Sequence, residues 1–125
     1  MTNYSYKIKT KEELLELISH FPRKKKVILA AGVFDIVHPG HINHLLYAKD
    51  KADILVVNIT ADQFVDKGEN RPHVPQELRA SNMAVFEMVD YVIIDNKEKP
   101  TDLLLYLKPD YYAKGFEYSP QNRES

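Results

Sequence analysis

The chain contains no cysteine. That absence excludes a disulfide scaffold, a thiolate metal site and a cysteine nucleophile together, and it fits a reducing cytosol. Charge of one sign is lacking too: 17 Lys and Arg against 18 Asp and Glu leave a formal net charge of -1. Such a balance gives no general drive toward nucleic acid or anionic membranes. No stretch approaches the roughly 18 apolar residues of a membrane span. The opening MTNYSYKIKTKEELLELISHF does not show the charged-then-apolar order of a secretory signal. A cytoplasmic protein with no membrane or nucleic-acid partner is therefore expected. Internal repeats and low-complexity linkers are missing as well.

What is present is an ordinary globular composition, 44% apolar and 28% charged over 125 residues, the size of one domain with one core. Leu14, Leu15, Leu17 and Ile18 fall near helical spacing among charged residues, predicting a short amphipathic helix over 11–19. That helix belongs to an amino-terminal extension, residues 1–25, and is open to reading as a docking appendage. The basic run Arg23 to Lys26 precedes a hydrophobic segment; it reads as a solvated turn, with a polyanion patch as the alternative.

From Val27 the pattern alternates. An apolar run, 27–34, leads to a helical stretch, 40–51, and a second apolar run, 54–59. A helix over 76–88, a strand over 91–94, a short helix over 101–107 and a strand over 111–113 complete the series. Apolar, β-branched runs separated by helices predict a parallel sheet covered on both faces, a Rossmann-like doubly wound α/β architecture in three layers. Ligands of such sheets sit beyond the carboxyl ends of the strands. The four glycines, Gly32, Gly40, Gly68 and Gly115, all fall at or after predicted strand ends, where backbone turns sharply or approaches a ligand.

The segment AGVFDIVHPGH, residues 31–41, joins the first strand to the first core helix. A helix amino terminus presents unpaired N–H groups and a positive dipole end, so this turn is a ready phosphate site. His38 and His41, three residues apart, can face the same side and bracket it. Their imidazole N–H groups could stabilise charge developing on a phosphoryl group. Pro39 and Gly40 fix the helix entry and allow close backbone approach. Two other readings remain open: the histidines cap a turn, or His38, His41 and His44 share a metal ion.

The string GVFDIVHPGH resembles the GxFDxxHxGH signature of the cytidylyltransferase-like nucleotidyltransferase superfamily. KGENRPHVPQELR, residues 67–79, is similar to the KGxxRPxxPxxxR stretch of its heptose-phosphate adenylyltransferase branch, and KGFEY, residues 114–118, to that branch's KGxDY. The resemblance covers roughly residues 10–118. It implies transfer of a nucleoside monophosphate, AMP from ATP in preference to CMP from CTP, onto a sugar phosphate with loss of pyrophosphate. A cytidylyltransferase for a polyol phosphate and a non-catalytic nucleotide-binding module are the competing readings.

Carried over by position, the resemblance assigns His38 and His41 to the triphosphate and the transition state, and Lys67 and Arg79 to phosphate. It places Gly32, Val33, Phe34, Asp35, Gly40, Lys114, Gly115 and Glu117 along the nucleotide. It implies Mg²⁺ with the nucleoside triphosphate, a small phosphorylated substrate and a homodimer. Asp35 is expected near the acceptor or Mg²⁺, or else as a carboxylate accepting backbone N–H groups in the turn. Tyr111, Tyr112 and Tyr118 are expected to pack and not to stack on a base, and His20, His44 and His73 carry no motif weight. Superfamily members continue into a Ser/Thr-rich closing segment, which this sequence does not reach by Ser125. Ala31 and Val33 stand where the heptose branch commonly has Asn and Cys.

Overall fold

The computed structural model describes residues 4–65, 72–97 and 99–113. A single 3-10 turn over Ser5–Lys7 precedes α1 (Lys11–Ile18), β1 (Val27–Gly32), α2 (Pro39–Lys51) and β2 (Ile54–Thr60). A second 3-10 turn over Asp62–Phe64 is followed by α3 (Gln76–Ala84), β3 (Tyr91–Asp95), α4 (Thr101–Leu107) and β4 (Tyr111–Ala113). The four strands form one parallel sheet in the order β3-β2-β1-β4.

Strand alternation divides the core in two. Val27 and Leu29 of β1, with Val56 and Ile93, pack under Leu14 and Ile18 of α1 and Leu103 and Leu107 of α4. Ile28 and Ala30, with Leu55, Val57, Ile59 and Val92, pack under Leu45 and Ala48 of α2 and Ala80, Met83 and Ala84 of α3. Successive side chains point to opposite faces of a strand, so continuous apolar runs need helices on both sides. The three-layer, doubly wound reading is thus confirmed.

Three details differ from the pattern-based expectations. The α1 helix is no appendage: Leu14 is fully buried and the helix supplies one wall of the core. Its start is set by a reciprocal cap, Glu13 N–H donating to Thr10 Oγ1 and Thr10 N–H to Glu13 Oε1. The preceding segment is tied in by the Ile8–Val92 bridge and by Lys7, whose buried ammonium donates to the carbonyls of Phe86 and Val89. Strand β1 ends at Gly32 instead of Phe34, because Phe34 has φ 51°, a left-handed conformation no strand accommodates. Helix α3 stops at Ala84 instead of Met88, where the chain turns and Lys7 takes the carbonyls beyond it.

The strand order has a functional consequence. The chain starts at β1, builds outward through β2 to β3, and returns to add β4 on the other side of β1. Order reverses between β1 and β4, and the crevice beyond their carboxyl ends is where such sheets bind ligands. The turn leading from β1 into α2 stands at that crevice.

Candidate active site

The β1–α2 turn is built on close contacts that only particular residues allow. Phe34, 3% exposed and held at positive φ, folds its ring back over the strand end. A Cβ at Gly32 would stand 3.0 Å from that ring, so glycine leaves the room it occupies. Further on, His38 is the N-cap of α2 and Pro39 opens the helix. A Cβ at Gly40 would come within 2.7 Å of the His38 ring, far inside van der Waals contact. Gly40 therefore lets the imidazole fold against the helix end.

His38 and His41 then cap one another. Gly40 N–H donates to His38 Nδ1 at 3.0 Å, and His38 N–H donates to His41 Nδ1 at 3.2 Å. The rings lie 4.0 Å apart, and His41, 9% exposed, meets the edge of Phe34. A nitrogen that accepts a hydrogen bond carries no proton, so each neutral ring holds its proton on Nε2. The capping reading and the phosphate reading are thus compatible, because the cap fixes the tautomer that makes each ring an Nε2–H donor.

The same contacts correct the expectation of unpaired helix N–H groups. Pro39 has none, Gly40 gives its own to His38 Nδ1, and His41 N–H bonds to the His38 carbonyl at 2.9 Å. Positive character at this helix end is therefore carried by the imidazoles and the helix dipole, and not by a bare backbone cradle.

Asp35, 7% exposed, accepts from His73 N–H on one oxygen at 2.9 Å and from Val74 N–H on the other at 2.8 Å. Of its two expected roles, the backbone-accepting one is what the structure displays, and the bonds cross to the loop before α3 instead of closing its own turn. Arg79 departs more sharply from expectation. Its guanidinium is completely buried, donating to the carbonyls of Val74, Val33 and Thr60 and to Asp62. Four of its five N–H groups are committed within the protein. Arg79 braces the ends of β1 and β2 and the α3 entry; it is not poised to grip phosphate. Val33 takes part through its carbonyl.

Burial, and after it the neighbouring His41, push the His44 imidazole down to about 4. Among the described residues no group of three His, Asp or Glu side chains converges as metal ligands would, His38, His41 and His44 included. Tyr111 and Tyr112, expected to pack, are 47% and 39% exposed. Burial chiefly, and the Asp95 carboxylate second, raise the Tyr112 phenol above its ordinary value. Lys67, Gly68, Lys114, Gly115, Glu117 and Tyr118 lie outside the described residues.

Pattern reading missed Asp62, Asn58 and Asp95. Asn58 had a visible signal: it is the one polar residue in the apolar run 54–59, and polar groups in buried strands call for an explanation. Asp62 had none, because its partner Arg79 is 17 positions away.

Comparison with known proteins places the chain in a family. The cytidylyltransferase-like family model matches residues 29–121. The chain belongs to that family. Among curated members, the bifunctional protein HldE of Campylobacter jejuni subsp. doylei is 42% identical over 118 residues, 93% of this chain. The bifunctional protein HldE of Pelobacter propionicus is 36% identical over 92% of it. The chain spans about a quarter of the length of these relatives, 25% and 24% respectively. In structure, this cytidylyltransferase-like chain matches the lipopolysaccharide core biosynthesis protein of Thermoplasma volcanium with TM-score 0.67 and 27% identity, covering 81% of this chain and 83% of that one. No helix among the described residues is long and apolar enough to cross a membrane.

Proposed function

We propose that this chain transfers AMP from ATP to a sugar phosphate, a heptose phosphate in particular, and releases pyrophosphate. One observation carries the reading: two imidazoles locked as Nε2–H donors at the amino terminus of α2, beyond the carboxyl end of β1 and beside the strand-order reversal. The sequence relationship to the HldE proteins and the structural likeness to a lipopolysaccharide core biosynthesis protein support a sugar-derived acceptor.

In this reaction a phosphate oxygen of the acceptor attacks the α-phosphorus of ATP. The bond from that phosphorus to the bridging oxygen of the β-phosphoryl group breaks, and pyrophosphate leaves with the electron pair. A phosphate monoester is already anionic near neutral pH, so no proton must be removed from the nucleophile. His38 and His41 donate from Nε2 to phosphate oxygens as negative charge redistributes, and the rigid turn holds them in place. Lys67, which follows β2 in the sequence, would add a positive charge.

Mg²⁺ would arrive on the triphosphate and would not be held by a carboxylate cage among the described residues of this chain. Asp35 and Asp62 are engaged with backbone N–H groups and Arg79, so phosphate oxygens and water would supply most of its ligands. When bound, the ion neutralises charge on the departing pyrophosphate. The reading further has the reaction in the cytoplasm and the chain as a homodimer, for which exposed Leu46, Tyr47, Leu78 and Val85 offer apolar surface; sedimentation velocity tests the dimer.

The deciding experiment is pyrophosphate release with ATP or CTP against heptose phosphate, other sugar phosphates and glycerol 3-phosphate. Turnover with ATP and heptose phosphate is expected. Preference for CTP with glycerol 3-phosphate reassigns the substrates. Nucleotide binding without turnover for any pair overturns the enzyme reading.

A further inference from the structure

A second polar cluster lies at the carboxyl edge of the sheet, two strands from the histidines. Asn58 of β2 is 3% exposed and Asp95, the last residue of β3, is 9% exposed. Both share the strand face of Val56 and Ile93, the face covered by α1 and α4. Asn58 Nδ2 donates to Asp95 Oδ2 at 3.4 Å, and Lys97 N–H donates to Asp95 Oδ1 at 3.1 Å. Asn58 Oδ1 is buried without a hydrogen-bond partner among the described residues. A buried amide left half-satisfied in an apolar strand does nothing for packing that Val would not do better.

Asp95 also lines a cavity of about 460 Å³ between the amino-terminal ends of α1 and α4, whose wall includes Thr10, Lys11, Asn96 and Lys97. An ionised carboxylate has about four acceptor positions, and the described bonds occupy one on each oxygen. Neighbouring strands are about 4.8 Å apart, so the ends of β1 and β3 are roughly 10 Å from one another. That span matches the reach of an extended sugar phosphate whose phosphate lies at the histidines.

We propose that Asp95, positioned by Asn58, is the specificity-determining acceptor for the hydroxyl groups of the sugar phosphate, whose carbon chain runs from the β1–α2 turn to the end of β3. This rests on the sugar-phosphate reading above. Hydroxyl hydrogens donate to the carboxylate, which the Asn58 amide holds in place from beneath. A short polyol phosphate would bind at the histidines without reaching the pair.

Calorimetric titration of heptose phosphate and of glycerol 3-phosphate into the 125-residue chain, with and without α,β-methylene-ATP, tests this directly. Asp95→Asn should weaken heptose phosphate roughly tenfold or more, the usual cost of a charged acceptor. It should leave glycerol 3-phosphate and α,β-methylene-ATP within about twofold, since neither reaches the pair. Asn96→Trp, at an exposed position, should obstruct the cavity with the same selectivity even if Asp95→Asn disturbs folding. Equal losses for both acceptors, unchanged heptose phosphate affinity in both variants, or no heptose phosphate binding by the wild type overturns the proposal. Failure of the wild type to bind α,β-methylene-ATP instead strikes the nucleotide reading, while the sugar titrations still decide this one.

Discussion

His38 and His41 hold each other in register: the amide of His38 donates to the His41 ring, while the His38 ring accepts from the amide of Gly40, one residue before His41. The arrangement engages the backbone donors that a helix end would otherwise offer to an anion and fixes the proton of each neutral imidazole on Nε2. Capping and chemistry are therefore separable by substitution. Asparagine places its side-chain oxygen about where histidine has Nδ1 and is a strong N-cap, but it lacks the outer N–H. His38→Asn should keep unfolding free energy within about 1 kcal/mol of wild type while turnover falls by roughly a hundredfold. His38→Ala should lose both. If urea unfolding and pyrophosphate release instead fall in parallel for the two variants, the ring serves the helix alone.

Gly40→Ala probes the same contact from the other side. The new Cβ would meet the His38 ring at 2.7 Å and drive it off the helix end. Alanine is the better helix former by about 1 kcal/mol, which roughly offsets the lost cap. Thermal unfolding should shift little while kcat drops more than about tenfold, the signature of a misplaced donor. Wild-type turnover in Gly40→Ala would show that the His38 position is immaterial.

Arg79 makes the opposite prediction. Its removal takes the donor from three carbonyls, and a buried polar group left unsatisfied costs about 1–3 kcal/mol, while the Asp62 side chain, 40% exposed, turns to solvent. Arg79→Ala should accordingly lower the urea midpoint steeply or abolish folding, and Arg79→Lys should recover only part of the loss, because an ammonium cannot reproduce the planar fork. A stable Arg79→Ala protein with only a raised KM for nucleotide would return Arg79 to the phosphate site.

His44 sets an acid limit. Its folded-state value is lowered from 6.5 to about 4, burial being the main cause. Above 6.5 both folded and unfolded states are neutral, and the residue contributes no pH dependence. Between 6.5 and about 4 the unfolded chain binds the proton and the native one does not, so stability falls as pH falls through that window. His44→Gln should flatten the melting temperature over the same range. An identical slope in wild type and variant assigns the acid sensitivity to other groups.

Much of this protein is legible from local pattern. Strands β1, β2 and β3 are runs such as ILVVNIT, and a strand covered on both faces is apolar at nearly every position, Asn58 being the buried exception in β2. The histidine turn is legible because its parts are adjacent in sequence: a strand end, Pro39, Gly40 and two rings one helical turn apart. Arg79 shows where local reading stops. In the sequence it is a cation at a ligand edge, as available to phosphate as Lys67.

The sequence by itself determined the α/β class and the strand-turn-helix element that carries the histidine pair, because each depends on contacts within a few residues. Only the tertiary structure decided which cation is buried and which carboxylates are occupied. Those outcomes depend on partners 17 to 46 residues apart, Arg79 with Asp62 and with Val33, Asp35 with His73 and Val74, Asn58 with Asp95. A guanidinium enters the interior only where several carbonyls converge on it. That convergence exists only once β1, β2 and α3 have packed.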